Sequence, residues 1–177
     1  MAKLITLQGN AKVFGDYIDA YQILPEQYWK GGTKIGSLSA EELGKYAMEG
    51  VDPQFAAEAL TGKYSFIVAG RNFGGGGKSI EHPVFAIKGA QVKAVLAESF
   101  SRYFFRNAIN NGLLVMVCPG ITTQVKTGDT LEITPMRGEI HNTATKVRMA
   151  ADPLPEIALE ILTMGGYIPY IKKKMAI

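Results

Sequence analysis

The chain has 177 residues, a formal net charge of +3, and hydrophobic and charged fractions of 47% and 20%; that balance excludes a disordered chain and suits one domain spanning 1–177. The small, scattered cationic excess gives no reason to expect nucleic acid or an anionic membrane as partner, and the longest apolar run, 113–118, falls far short of the roughly 20 residues that cross a bilayer. The single cysteine, Cys118, excludes an internal disulfide and, within this chain alone, an iron–sulfur cluster or a cysteine zinc site.

The opening residues, Met1-Ala-Lys-Leu-Ile-Thr, turn polar too soon for a secretory leader, and a cytoplasmic location is the expectation. Residues 11–14 read as a short strand, 15–19 as a turn, and Ile23-Leu-Pro as a stop or bend. Gly31, Gly32 and Gly36 mark a loop. Ser39 followed by Glu41 and Glu42 predicts a capped helix that runs to Met48 and stops at Gly50. Residues 65–69, 93–97 and 113–117 are short, nearly continuous apolar runs, hence buried strands. Between them lie helices at 79–88, closed by Gly89, and at 99–110, capped by Ser99 and stopped by Gly112. Strand, loop, helix, strand, helix, strand is the pattern of parallel βαβ units. Gly128-Asp129 turns into an alternating strand at 130–134, weaker strands follow at 139–142 and 145–149, and an amphipathic helix at 156–164 closes the pattern before Gly165-Gly166.

The joint between the 65–69 strand and the next helix reads Gly70-Arg-Asn-Phe-Gly-Gly-Gly-Gly-Lys-Ser-Ile-Glu-His. Glycines admit close backbone approach and positive φ, and the amides at a helix start attract an anion. A carboxylate or phosphate ligand fits here; the alternative is a tight connection without one. Gly77-Lys78-Ser79 invites a phosphate-loop reading, in which residues 74–79 bind a nucleotide and Glu98, at the end of the next strand, serves magnesium. The pattern needs a glycine five positions before Gly77, where Asn72 stands.

Three further segments extend the signal. They are Ala97-Glu-Ser-Phe-Ser-Arg-Tyr-Phe-Phe-Arg-Asn-Ala-Ile-Asn-Asn-Gly-Leu, Val13-Phe-Gly-Asp-Tyr-Ile-Asp-Ala-Tyr-Gln-Ile-Leu-Pro, and Leu154-Pro-Glu-Ile-Ala-Leu-Glu-Ile-Leu-Thr-Met-Gly-Gly-Tyr-Ile-Pro-Tyr. Together with the glycine loop they resemble the aconitase-superfamily swivel domain, in the form of the small subunits of 3-isopropylmalate dehydratase and homoaconitase, over about residues 9–172. The resemblance implies an α/β fold of three layers, β/β/α. It implies a separate large subunit that carries a [4Fe–4S] cluster, as a heterodimer or larger assembly. It also implies a hydro-lyase reaction on a hydroxy di- or tricarboxylic acid, in leucine or a related amino-acid biosynthesis. A non-catalytic swivel domain is the remaining alternative.

Relatives carry Asn-Phe-Gly-Cys-Gly-Ser-Ser-Arg-Glu-His, with the first serine as base and the arginine as carboxylate clamp. Counting back from Glu81-His82, Lys78 stands at the catalytic serine, Ser79 at the second serine and Ile80 at the arginine, in a loop one residue longer. Lys78 and Ser79 are the catalytic candidates by this resemblance, and Gly75, Gly76, Gly77, Lys78 and Ser79 the substrate-binding ones. Lys78 reads as replacement cation, as base, or as a solvated lysine; Ser79 also reads as a helix cap. Lys30 follows Tyr28-Trp29 where relatives select the substrate's variable group, and favours a polar or anionic substituent. Asp16 and Asp19 remain from the family's acidic segment, with Ala20 and Tyr21 after them. Arg102 and Arg106, four apart on one helix face, serve partner, substrate or salt bridges.

Overall fold

A computed structural model describes residues 6–29, 38–76 and 80–175. Its strands are β1 (Leu7–Val13), β2 (Phe66–Ala69), β3 (Ala94–Ala97), β4 (Leu114–Val117), β5 (Thr130–Thr134), β6 (Glu139–Asn142) and β7 (Arg148–Ala150). The α-helices are α1 (Ala20–Ile23), α2 (Ala40–Gly44), α3 (Phe55–Leu60), α4 (His82–Gly89), α5 (Arg102–Asn110), α6 (Ile121–Gln124), α7 (Glu156–Thr163) and α8 (Tyr167–Lys174). The strands make one sheet in the order β4-β3-β2-β1-β5-β6-β7.

Strand β1 joins two kinds of sheet. Its residues 11–13 run parallel to β2, and β2, β3 and β4 continue parallel. Its residues 7–10 pair antiparallel with β5, and β6 and β7 continue antiparallel. Alternation along the parallel strands sorts side chains to two cores. Ile67, Ala69, Val95, Ala97 and Val115 face the helices, packing with Ile23, Leu43, Phe55, Val84, Ile87 and Phe104. Phe66, Val68, Ala94, Leu96, Leu114 and Met116 face the other way and share a core with Leu131, Ile133 and Ile140 of the antiparallel half. The sheet is thus folded over on itself, and the layers are β, β and α, as the resemblance implies. The curl brings its far ends together, with the Asp152 amide donating to the Val117 carbonyl at 2.8 Å.

Several element boundaries differ from the sequence expectation: β1 runs Leu7–Val13 where 11–14 was expected, β7 Arg148–Ala150 where 145–149 was, and three helices shift as well. Helix α2 ends at Gly44, because Tyr46 and Ala47 tighten into three-residue turns and the Met48 amide leaves to bond Ile23 O at 2.7 Å. Helix α4 starts at His82, later than the expected 79, and ends at Gly89, the residue expected to close it. Helix α5 starts at Arg102 with Ser101 as its cap, not Ser99. Helices α1, α3, α6 and α8 were not marked by the sequence. No helix among the described residues is long and apolar enough to cross a membrane.

Beside β1, Lys12 Nζ lies 2.6 Å from Asp52 Oδ2. The hydrogen bond from Lys12 holds the Asp52 carboxyl below its ordinary value of 3.8, and the same bond raises Lys12 above 10.5. The carboxylate's contribution is complete above its unfolded pKa and is lost as pH falls through the depressed folded value; the lysine's is lost only as pH rises through its raised one. Asp52→Asn is expected to lower stability by about 1 kcal/mol at neutral pH and to flatten the acid limb of a pH–stability curve from denaturant melts.

Candidate active-site loop

The loop leaves the C-terminal edge of β2, the side of a parallel sheet where ligands of α/β proteins bind. It is sewn to the chain on both flanks. On one flank, Tyr17 N donates to Arg71 O at 2.7 Å, Gly74 N to Ile18 O at 2.7 Å, and Ala20 N to Gly75 O at 2.8 Å. On the other, Asn72 N donates to Ser99 Oγ at 2.9 Å, Phe73 N to Ser99 O at 3.0 Å and Ser101 N to Phe73 O at 2.9 Å. Ser101 serves loop and helix together. Its hydroxyl donates to Gly74 O at 2.6 Å and accepts from Phe104 N, at 3.3 Å, at the start of α5. The amides of Gly75 and Gly76 have no acceptor among the described residues.

Both acidic candidates flank this loop, and each has a local task. Asp16 accepts from the Arg71 amide at 2.8 Å and from Arg71 Nε and Nη2 at 3.0 and 2.6 Å. These bonds hold the Asp16 carboxyl below the usual carboxylate range. Asp19 Oδ1 accepts from the Tyr21 and Gln22 amides, both at 2.8 Å, and the Gln22 side chain accepts from the Asp19 amide at 2.9 Å. That reciprocal capping box satisfies the amide ends of a four-residue helix that could not stand alone. Arg102 and Arg106 are exposed on the outer face of α5. Lys30, Gly77, Lys78 and Ser79 lie outside the described residues.

Beyond the loop, α5 holds the entry to α4. Asn107 Nδ2 donates to Ile80 O at 3.1 Å and Asn111 Nδ2 to Glu81 Oε1 at 3.0 Å. Asn107 is buried, and although it stands in the 97–113 segment, nothing in the sequence names Ile80 as its partner. Asn107→Ala leaves a carbonyl unpaired and is expected to cost about 1–2 kcal/mol in a thermal or urea melt. His82, first residue of α4, stacks on Trp29 with ring centroids 5.6 Å apart, and Trp29 stacks on Tyr21 at 5.8 Å. The Trp29 indole donates to Leu24 O at 3.3 Å. His82 Nδ1 is buried without a hydrogen-bond partner among the described residues.

Two features differ from a phosphate loop. Helix α4 opens at His82, three residues past Ser79, so the Gly-Lys-Ser triplet does not lead directly into it. Glu98, the candidate magnesium acid, accepts from the Thr122 hydroxyl. The chain does not fit an iron–sulfur cluster either. Its one cysteine is buried, its thiol pushed up to about 11 by desolvation. Among the described residues no group of three or more His, Cys, Asp or Glu converges as a metal site.

The aconitase C-terminal domain family matches residues 1–120. The isopropylmalate/citramalate isomerase small subunit of Methanocaldococcus jannaschii is 42% identical over 96% of this chain and 96% of its own length. A 3-isopropylmalate dehydratase small subunit of Methanopyrus kandleri is 40% identical over 95% of this chain and 94% of its own. The crystal structure of a 3-isopropylmalate dehydratase from M. jannaschii superposes with a TM-score of 0.86 at 36% identity, covering 97% of this chain and 96% of that one. With its fold and length shared, the chain belongs to the aconitase C-terminal domain family, in the group of isopropylmalate dehydratase small subunits.

Proposed function

We propose that this chain is the small subunit of a two-component hydro-lyase and closes over a substrate held by a larger partner. The substrate is a hydroxy dicarboxylate of the isopropylmalate or citramalate type, which places the reaction in branched-chain amino-acid biosynthesis such as that of leucine. The observation that carries this reading is the glycine loop at the edge of the parallel sheet. Its backbone is fixed on both sides, and amides are left over for carboxylate oxygens. Family membership over nearly the full length supports the same substrate class.

The work of this chain is to bind, orient and exclude water. The [4Fe–4S] cluster, which as a Lewis acid polarises the substrate hydroxyl, belongs to the large subunit, since the lone buried cysteine here cannot ligate it. Lys78 supplies the positive charge that Ile80 cannot, and Ser79 adds a hydroxyl beside it. Lys30 pulls the other way, toward a variable group that is polar or anionic, so the hydration assay includes a hydroxy tricarboxylate beside the two dicarboxylates.

Co-expression with a cluster-bearing large subunit tests the reading, with hydration followed by absorbance of the unsaturated diacid. Turnover in the complex and none from the chain alone is the expected result. Lys78→Ala is expected to lower kcat/KM at least tenfold, roughly the 1.4 kcal/mol of one charge-assisted hydrogen bond. Unchanged turnover removes Lys78 from the site. Nucleotide binding by the isolated chain, with no hydration by the complex, would replace the whole reading.

A further inference from the structure

Two exposed tyrosines bracket the glycine loop. Tyr17 is 60% exposed and sits at φ +58, a left-handed backbone that a bulky residue rarely adopts. Its ring lies under the Arg71 guanidinium, 5.5 Å from Cζ to centroid, and Arg71 is pinned in turn by Asp16. Across the loop, Tyr103 is 56% exposed on α5, between Arg102 and Arg106. Both arginines are exposed and neither has an ion-pair partner among the described residues. Residues 99–101 run beside 72–74, so this end of α5 adjoins the loop.

Scattered exposed apolar residues need no explanation. A tyrosine held in a strained conformation, in water, beneath an anchored guanidinium, is different. The order gives the free chain no burial in return, whereas a partner that meets side chains already fixed loses less entropy on docking. Tyrosine and arginine are also the residues that dominate binding at the centre of interfaces.

We infer that Tyr17, Arg71, Arg102, Tyr103 and Arg106 form the surface on which the large subunit docks, and that the docked face presents carboxylates to Arg102 and Arg106. The inference rests on the two-component reading above. Continuity names the occupant: a substrate on the loop amides must also be reached by the partner, so the partner's face has to cover the residues on either side of the loop. Charge sets its chemistry. Arg71 is neutralised by Asp16, while the two guanidiniums of α5 stand unpaired among the described residues. The rival surface is the α7–α8 hairpin, where Ile157, Tyr167 and Ile168 are exposed beside Lys172, Lys173 and Lys174.

The test is the dissociation constant of the purified large subunit for variants of this chain, by calorimetry at two salt concentrations. Tyr17→Gly is the informative variant. Glycine takes the positive φ without strain, so the melting temperature of the free chain stays level or rises while binding weakens at least tenfold. Tyr103→Ala is expected to weaken binding similarly. Arg102→Glu with Arg106→Glu weakens it further and flattens its salt dependence. Ile168→Glu leaves it within twofold. If the wild-type complex forms and Tyr17→Gly and the double arginine variant bind as tightly as wild type, or if Ile168→Glu abolishes binding, the inference is overturned while the two-component reading stands. If no large subunit binds the wild-type chain, both fall together.

Discussion

Gly74→Ala is expected to abolish useful turnover of the assembled enzyme, lowering kcat/KM about a hundredfold or more, and to destabilise the free chain by about 3 kcal/mol. Gly74 has φ +76, where an L side chain is strained by roughly 1–2 kcal/mol. Its Cβ would also lie 2.3 Å from Phe104 Cγ and 2.4 Å from Phe104 Cβ. The obstruction is the root of a buried side chain, not a flexible tip, and the Phe104 ring is edge-on to Phe73 at 5.1 Å. Neither phenylalanine can yield, so the loop must. Moving it breaks the bonds from Gly74 N to Ile18 and from Ser101 Oγ to Gly74 O. A shift of about 1 Å in a substrate-positioning segment is enough for a hundredfold loss. Gly15→Ala is the control, since a Cβ there meets nothing within 4 Å. Steady-state kinetics with urea melts of the same samples separates misplacement from unfolding.

Gly89→Ala is expected to be the most destabilising single methyl in the helical layer, at about 3 kcal/mol or more in a denaturant melt. Its Cβ would lie 1.7 Å from the Ala40 carbonyl oxygen and 3.0 Å from Gly44 Cα, while a Cβ on Gly44 would lie 2.2 Å from Gly89 C. Helices α2 and α4 cross backbone to backbone, so any side chain at either glycine drives them apart. Helix α2 has five residues and no stability of its own, so separation melts it. Gly44→Ala should cost a similar amount. The double variant should cost less than the sum, because the second methyl fills space that the first has opened.

The same two glycines show how far the sequence could be read. The parallel strands were legible because both their faces are buried, which turns alternation into unbroken apolar runs. Gly74 was legible as part of a loop built for positive φ. Gly89 read as a helix stop, and α4 does end there; its second task, letting α2 approach from some 45 positions away in the chain, was not legible, because a contact between helices leaves no local mark. Ser99 read as the cap of the next helix. The choice fell to Ser101 because the Ser99 hydroxyl is taken by the Asn72 amide. Asp16 and Asp19 were legible as acids beside the site. Their tasks, anchoring Arg71 and capping α1, depend on partners that only the fold supplies. Asn107 stood within a segment that carries the resemblance, but its role was not legible, since its acceptor, Ile80 O, is set by the fold.

Trp29 is the chain's single tryptophan, and it lies face to face with an imidazole at the first residue of the helix that follows the loop. Indole emission is quenched by a neighbouring imidazole in a manner that depends on ring separation. The free chain therefore carries its own label-free optical gauge: a change in spacing between the Trp29 segment and the start of α4 is readable as a change in brightness.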